Sequence, residues 1–266
     1  MDKNATRIES TTQSLNLQQF IPMGNSEDTT TITHLPQAVP VKEMEKLLPS
    51  AEYIMRTRQK AGDIMRLGIF GGTFDPVHYG HLLLAETCRE QLRLDEVRFV
   101  PAAIPPHKLH YKITEGEARA DMLRLAVSGY PEFVVDRREL KREGTSYTVD
   151  TLAEFAAEFP SAELYFLAGA DSLRDFLTWR EPERIIRLAK LVACNRPGLP
   201  QLRVEQVAEW VGSEMSDRIL TLQMPGTDIS GSEMRDRVRD GRSLRFLTPR
   251  AVEVFVIEHG LYRQTR

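Results

Sequence analysis

The sequence predicts an α/β fold: a Rossmann-like, doubly wound parallel sheet of about six strands with helices on both faces. From residue 65 onward, short apolar runs of strand length alternate with amphipathic stretches of helical length, the arrangement of a parallel sheet covered on both sides. The first run, Leu67–Gly71, passes through a glycine turn directly into a helix start. In sheets of this kind the working site lies at the carboxyl ends of the strands.

Residues 1–64 precede the alternating pattern and read as an N-terminal extension, partly disordered. Between Ser10 and Pro40 the only charged residues are Glu27 and Asp28, while Thr, Gln, Ser and Asn dominate among scattered prolines. Such a stretch has too few large apolar residues at a steady period to build a core. Further on, Met44, Leu47, Leu48, Ala51, Ile54 and Met55 recur at helical spacing, so a helix is expected over 42–60, with Pro49 either starting a new turn or breaking it. The organised domain is expected to span 65–266.

Within that domain the first strand is followed by Gly71 and Gly72, whose lack of side chains lets phosphate oxygens approach the backbone. The helix expected over Tyr79–Leu92 points its free N–H groups and positive dipole end at the same place, which makes an anion site. His78 and His81 are three residues apart and share one face of the first helical turn. Two imidazoles there can donate to the oxygens of a phosphorus centre as charge builds; they can equally cap backbone or meet a metal. The stretch has neither the G-x-G-x-x-G dinucleotide fingerprint nor the lysine-serine/threonine end of a P-loop.

A second strand, Glu96–Val100, leads into Pro101-Ala-Ala-Ile-Pro-Pro-His-Lys108, where three prolines restrict the loop that presents His107 and Lys108. A helix over Glu115–Val127 and a strand over Glu132–Val135 follow. Ser146-Tyr-Thr-Val-Asp-Thr151 then opens a helix over Thr148–Phe159, with Thr148 or Ser146 as its expected N-cap. The strand Glu163–Ala168 ends in Gly169-Ala-Asp171. An acidic residue just past a strand end suits a ribose hydroxyl, a bound magnesium ion or plain helix capping. Trp179 beyond it suits either ring stacking or closure of the core.

The pattern continues with a helix over Glu183–Leu188, a strand over Lys190–Cys194, a helix over Val204–Val211 and a strand over Arg218–Leu222. Ser230 and Ser232 stand at the start of a helix expected over Ser232–Asp240, with Glu233 in its first turn, and make a second anion-binding helix start. Arg235, one turn in, presents a planar fork that matches pairs of phosphate oxygens. A last helix is expected over Pro249–Gly260.

The totals are those of an ordinary globular chain: 266 residues, 41% hydrophobic and 27% charged. A formal charge of −3 gives no global basic field for nucleic acid. Cys88 and Cys194 are too few for a disulfide framework and suit a reducing, cytoplasmic compartment. There is neither an apolar stretch of membrane-spanning length nor a secretory signal, so no membrane partner is expected. Homo-oligomerisation is left open.

The string Gly71-Gly-Thr-Phe-Asp-Pro-Val-His-Tyr-Gly-His81 resembles the signature of nucleotidyltransferases with a His-x-Gly-His motif, and the fuller pattern resembles the bacterial nicotinate-nucleotide adenylyltransferase family. Supporting the fuller match are the Pro-Pro-His-Lys loop, the Ser-Tyr-Thr segment continued by Asp-Thr-Leu, the Gly-x-Asp followed by Trp179, and Asp228-Ile-Ser-Gly-Ser-Glu-Met-Arg235. Ser232 stands where the family pattern has threonine.

The resemblance implies a nucleotidyltransferase domain over 65–266 that moves the adenylyl group of ATP to nicotinate mononucleotide, with Mg2+, giving nicotinate adenine dinucleotide and pyrophosphate in NAD biosynthesis. It implies that His78, His81 and Arg235 are catalytic. Gly71, Gly72, Thr73, Phe74, Ser230, Ser232 and Asp171 would bind ATP. His107, Lys108, Tyr147, Thr148 and Trp179 would bind the mononucleotide, and no side chain is singled out as a metal ligand. Competing expectations are a related enzyme acting on another phosphate, such as phosphopantetheine, and a nucleotide-binding regulatory protein.

Overall fold

In the computed structural model, which describes residues 64–103, 113–197, 209 and 212–263, six parallel strands form one sheet among the described residues. They are β1 (Arg66–Gly72), β2 (Glu96–Pro101), β3 (Phe133–Val135), β4 (Glu163–Gly169), β5 (Lys190–Asn195) and β6 (Ile219–Gln223), in the spatial order β3-β2-β1-β4-β5-β6. The α-helices are α1 (Tyr79–Leu92), α2 (Gly116–Ala126), α3 (Thr148–Glu158) and α4 (Pro182–Leu188), between strands, and α5 (Gly231–Arg239) and α6 (Arg250–Glu258), after β6. Each predicted strand is present to within a residue at either end. His107 and Lys108, the helix expected over 42–60 and, apart from residue 209, the helix expected over Val204–Val211 lie outside the described residues.

Strand periodicity divides the core in two. Leu67, Ile69, Leu164, Phe166, Leu191 and Ala193 face one side of the sheet, where they pack with Val149, Leu152 and Phe155 of α3 and with Ile185 and Ile186 of α4. Their immediate neighbours Phe70, Tyr165, Leu167, Val192 and Cys194 face the other side, against Leu84, Ala85 and Cys88 of α1, Met122 and Leu123 of α2, Met234 of α5 and Val252 and Val256 of α6. Successive side chains of a strand point to opposite faces. An apolar run of five or six residues therefore needs helices on both sides to keep every member dry. This is the doubly wound arrangement expected from sequence.

The order of strands reverses between β1 and β4, which are neighbours in the sheet although two strands intervene between them in the chain. Connections leave β1 and β4 toward opposite sides, opening a crevice beyond their carboxyl ends. The start of α1 is fixed beside this crevice by the far end of the chain. Leu247 accepts a hydrogen bond from the Tyr79 amide at 3.0 Å, and the Thr248 hydroxyl donates to the Val77 carbonyl at 2.8 Å.

One expectation is corrected at α3. Its N-cap is Tyr147, with no side-chain cap bond, while Thr148 already lies within the helix. The Ser146 hydroxyl is buried and finds no hydrogen-bond partner among the described residues, so neither hydroxyl does the capping.

Candidate active site

Beyond the ends of β1, β4 and β5 the fold leaves a cavity of about 660 Å3. The turn after β1 forms one wall with Gly71, Gly72, Thr73 and Phe74, and the start of α1 adds His78 and His81. Asp171, Trp179 and Arg196 come from the segments after β4 and β5, Thr148 from the start of α3, and Ser230, Ser232 and Arg235 from the start of α5. The positive ends of two helices, far apart in sequence, thus meet across one space.

The turn is shaped by Phe74, a bulky residue held at a positive φ of 49°. Its ring is 1% exposed and meets Phe70 edge-on at 5.3 Å, with Phe99 at 5.8 Å. Aromatic burial worth about 1.5–3 kcal/mol outweighs the roughly 1–2 kcal/mol cost of the left-handed backbone. Gly72 is required here, because a Cβ on it would lie 2.8 Å from the Phe74 ring. The buried ring therefore leaves the Gly71–Gly72 backbone bare on its cavity side.

The two histidines are stacked, ring centroids 3.7 Å apart and planes inclined by 26°. His78 is the N-cap residue of α1, and its amide donates to Nδ1 of His81 at 3.3 Å. An accepting Nδ1 places the ring proton of neutral His81 on Nε2. His78 is 5% exposed, and its pKa falls to about 4, first because burial disfavours the charged ring and second because Arg196 adds positive charge nearby. At neutral pH His78 is an uncharged hydrogen-bonding group, which also removes the charge repulsion that two stacked imidazolium rings would suffer.

Around the rest of the wall, Arg196 pairs with Asp171 at 2.8 Å. Arg235 donates through one guanidinium nitrogen to the Asp75 carbonyl at 2.7 Å. Ser230 caps α5 by accepting from the Glu233 amide at 3.2 Å, and its hydroxyl lies 3.2 Å from that of Ser232. Trp179 touches Phe166 and Phe176, ring centroids 5.9 and 5.5 Å away, and also borders the cavity, so it meets both descriptions given from sequence.

Twelve of the expected site residues therefore border one space: His78, His81, Arg235, Gly71, Gly72, Thr73, Phe74, Ser230, Ser232, Asp171, Thr148 and Trp179. Tyr147 does not. Its ring packs against the core beneath the Arg180 guanidinium, 4.8 Å from the ring centroid. Sequence reasoning missed Arg196 and Glu139. Arg196 follows the apolar run of β5, at the same strand-end position that drew attention to Asp171. Glu139 is 7% exposed, borders the cavity and accepts from the Thr151 hydroxyl at 2.6 Å; burial raises its pKa, with that hydrogen bond opposing the rise. No cluster of three or more metal-ligating side chains occurs among the described residues.

Comparison with known proteins gives this geometry a family. The cytidylyltransferase-like family matches residues 69–237. A probable nicotinate-nucleotide adenylyltransferase of Thermus thermophilus is 49% identical over 199 residues, an alignment covering 75% of this chain and 100% of that protein. The chain belongs to the nicotinate-nucleotide adenylyltransferase family.

Another family member, from Moorella thermoacetica, is 43% identical over 74% of this chain and 92% of its own length. Among solved structures, the Plasmodium falciparum nicotinic acid mononucleotide adenylyltransferase complexed with NaAD superposes with a TM-score of 0.63 at 18% identity, over 74% of this chain and 97% of that one. At that identity the likeness is one of fold. Both family alignments leave a quarter of this chain outside them.

Proposed function

We propose that the cavity is where this enzyme transfers the adenylyl group of ATP to nicotinate mononucleotide, giving nicotinate adenine dinucleotide and pyrophosphate, the family's step in NAD biosynthesis. The observation that supports this reading most directly is that the stacked His78 and His81 at the start of α1 and Arg235 at the start of α5 border the same space.

The mononucleotide phosphate attacks the α-phosphorus of ATP in line and pyrophosphate departs, so no covalent enzyme intermediate is required. The bare backbone of Gly71 and Gly72, with Thr73 and Phe74, admits the triphosphate. His81, with its proton on Nε2, and neutral His78 donate to phosphate oxygens as negative charge shifts toward the leaving group. Arg235, Ser230 and Ser232 receive the pyrophosphate at the positive end of α5. Asp171, held by Arg196, offers an acceptor to a ribose hydroxyl. Thr148 and Trp179 line the mononucleotide side; His107 and Lys108, given to the same substrate by the family resemblance, lie outside the described residues.

Mg2+ enters as part of the nucleotide substrate, neutralising its phosphates. The catalytic domain is taken as 65–266 and residues 1–64 as an extension outside the family alignment. Two buried free thiols, Cys88 and Cys194, agree with a cytoplasmic location.

The test is pyrophosphate release with ATP and Mg2+ against nicotinate mononucleotide, nicotinamide mononucleotide and phosphopantetheine. Release with the first supports the reading; release with phosphopantetheine alone, or with none, overturns it.

A further inference from the structure

Asp75 is a carboxylate in the turn after β1, 6% exposed, whose oxygens accept from the Tyr262 hydroxyl at 2.6 Å and the Thr114 amide at 3.2 Å. Its own backbone carbonyl accepts from Arg235 at 2.7 Å. Behind it stands Arg119, 1% exposed, which donates to the carbonyls of Thr73, Ala102 and Thr114 at 2.7, 2.7 and 2.8 Å. Thr114 therefore gives its amide to the buried anion and its carbonyl to the buried cation.

Two further observations show that the Asp75 to Arg235 contact is built into the fold. A Cβ on Gly231, the first residue of α5, would lie 3.1 Å from the Asp75 carbonyl and 3.4 Å from the Arg235 guanidinium, so any larger residue there would press the carbonyl and the guanidinium by a few tenths of an ångström. Tyr262 itself is held at a left-handed φ of 63°, a conformation a tyrosine adopts only where surrounding contacts impose it.

We propose that Tyr262 is a positioning residue for Arg235: by anchoring the Asp75 side chain it fixes the Asp75 carbonyl that aims the guanidinium into the cavity. One guanidinium edge is engaged by that carbonyl, which sets the plane of the fork and turns the remaining donors toward the nucleotide phosphates. Arg119 supports the arrangement from behind by holding the turn and Thr114 and by offsetting the Asp75 charge. The inference deepens the reading of Arg235 as a phosphate ligand and rests on it.

The experiment is a double-mutant cycle in the full chain with Tyr262→Phe and Arg235→Lys, the latter keeping the charge but not the planar fork. Tyr262→Phe is expected to lower kcat/KM for ATP by about five- to tenfold, the equivalent of one hydrogen bond, with KM for the mononucleotide unchanged. In the Arg235→Lys background the same substitution is expected to change nothing further. An equal fold-loss in both backgrounds, or unchanged ATP kinetics in Tyr262→Phe, overturns the proposal while leaving Arg235 as a phosphate ligand. Full ATP kinetics in Arg235→Lys and in Arg235→Ala overturns both. All variants are assayed below their own melting midpoints, so a loss of stability is not read as a loss of aim.

Discussion

His78 has a different proton affinity from a histidine in water because the fold buries it beside Arg196. With a folded pKa of about 4 against 6.5 unfolded, the unfolded chain binds a proton between those values and the native one does not. Stability is therefore present in full above pH 6.5 and falls as pH drops toward 4, by roughly 3 kcal/mol in all. Thermal melts between pH 4.5 and 7.5 are expected to show this slope, and His78→Gln is expected to flatten it. His81→Ala is expected to lower kcat by about a hundred- to a thousandfold, as for removal of one transition-state donor, and to lower stability by only about 1 kcal/mol through loss of the acceptor for the His78 amide; near wild-type turnover in single-turnover assays counts against the role given to it. The pairing of the two histidines at a helix start was legible from their spacing, whereas Arg235, in a run rich in Asp and Arg, stood out only through the family resemblance. The charge state of His78 was not, because it depends on Arg196, which a different strand delivers.

Among the elements, α5 shows most directly how a sequence pattern becomes a site. The helix start was legible because hydroxyl residues precede a run with Glu233 in its first turn, but the helix begins one residue earlier than expected, at Gly231, which makes Ser230 its cap. Ser230→Ala is expected to cost about 1 kcal/mol in urea unfolding and, by releasing the end of the helix that faces the cavity, to raise KM for ATP. Ser232→Thr restores the residue of the family pattern and keeps the hydroxyl, so ATP kinetics within about twofold of wild type are expected, a change of under about 0.5 kcal/mol. The start of α3 was misread for an instructive reason. Ser146 and Thr148 both have capping chemistry, but the backbone enters the helix at Tyr147. Cap propensity names eligible side chains, whereas the path of the chain chooses among them.

The molecule as a whole was legible in class but not in wiring. Alternating apolar runs and amphipathic stretches announce a sheet covered on both faces. They do not state that β1 sits between β2 and β4, since parallel neighbours are joined by long crossovers and no local signal records the pairing. The division of the core into two layers has a measurable outcome. Phe155 lies in the layer beneath α3 and outside the cavity wall. Phe155→Ala is expected to destabilise the fold by about 3–5 kcal/mol while kcat/KM of the fraction that remains folded is preserved. Selective loss of turnover at unchanged stability would show that this layer and the site are not separable.

The stitching of α1 to Leu247 and Thr248 bears on how the protein is made. Translation delivers the glycine turn well before α5, so the ribosome must pass α5 before the nucleotide pocket has both of its sides. Nascent chains halted ahead of residue 228 are expected not to release pyrophosphate, however well β1 to β5 have assembled. Nuclease-stalled translation products of graded length should acquire turnover abruptly, once α5 has been made.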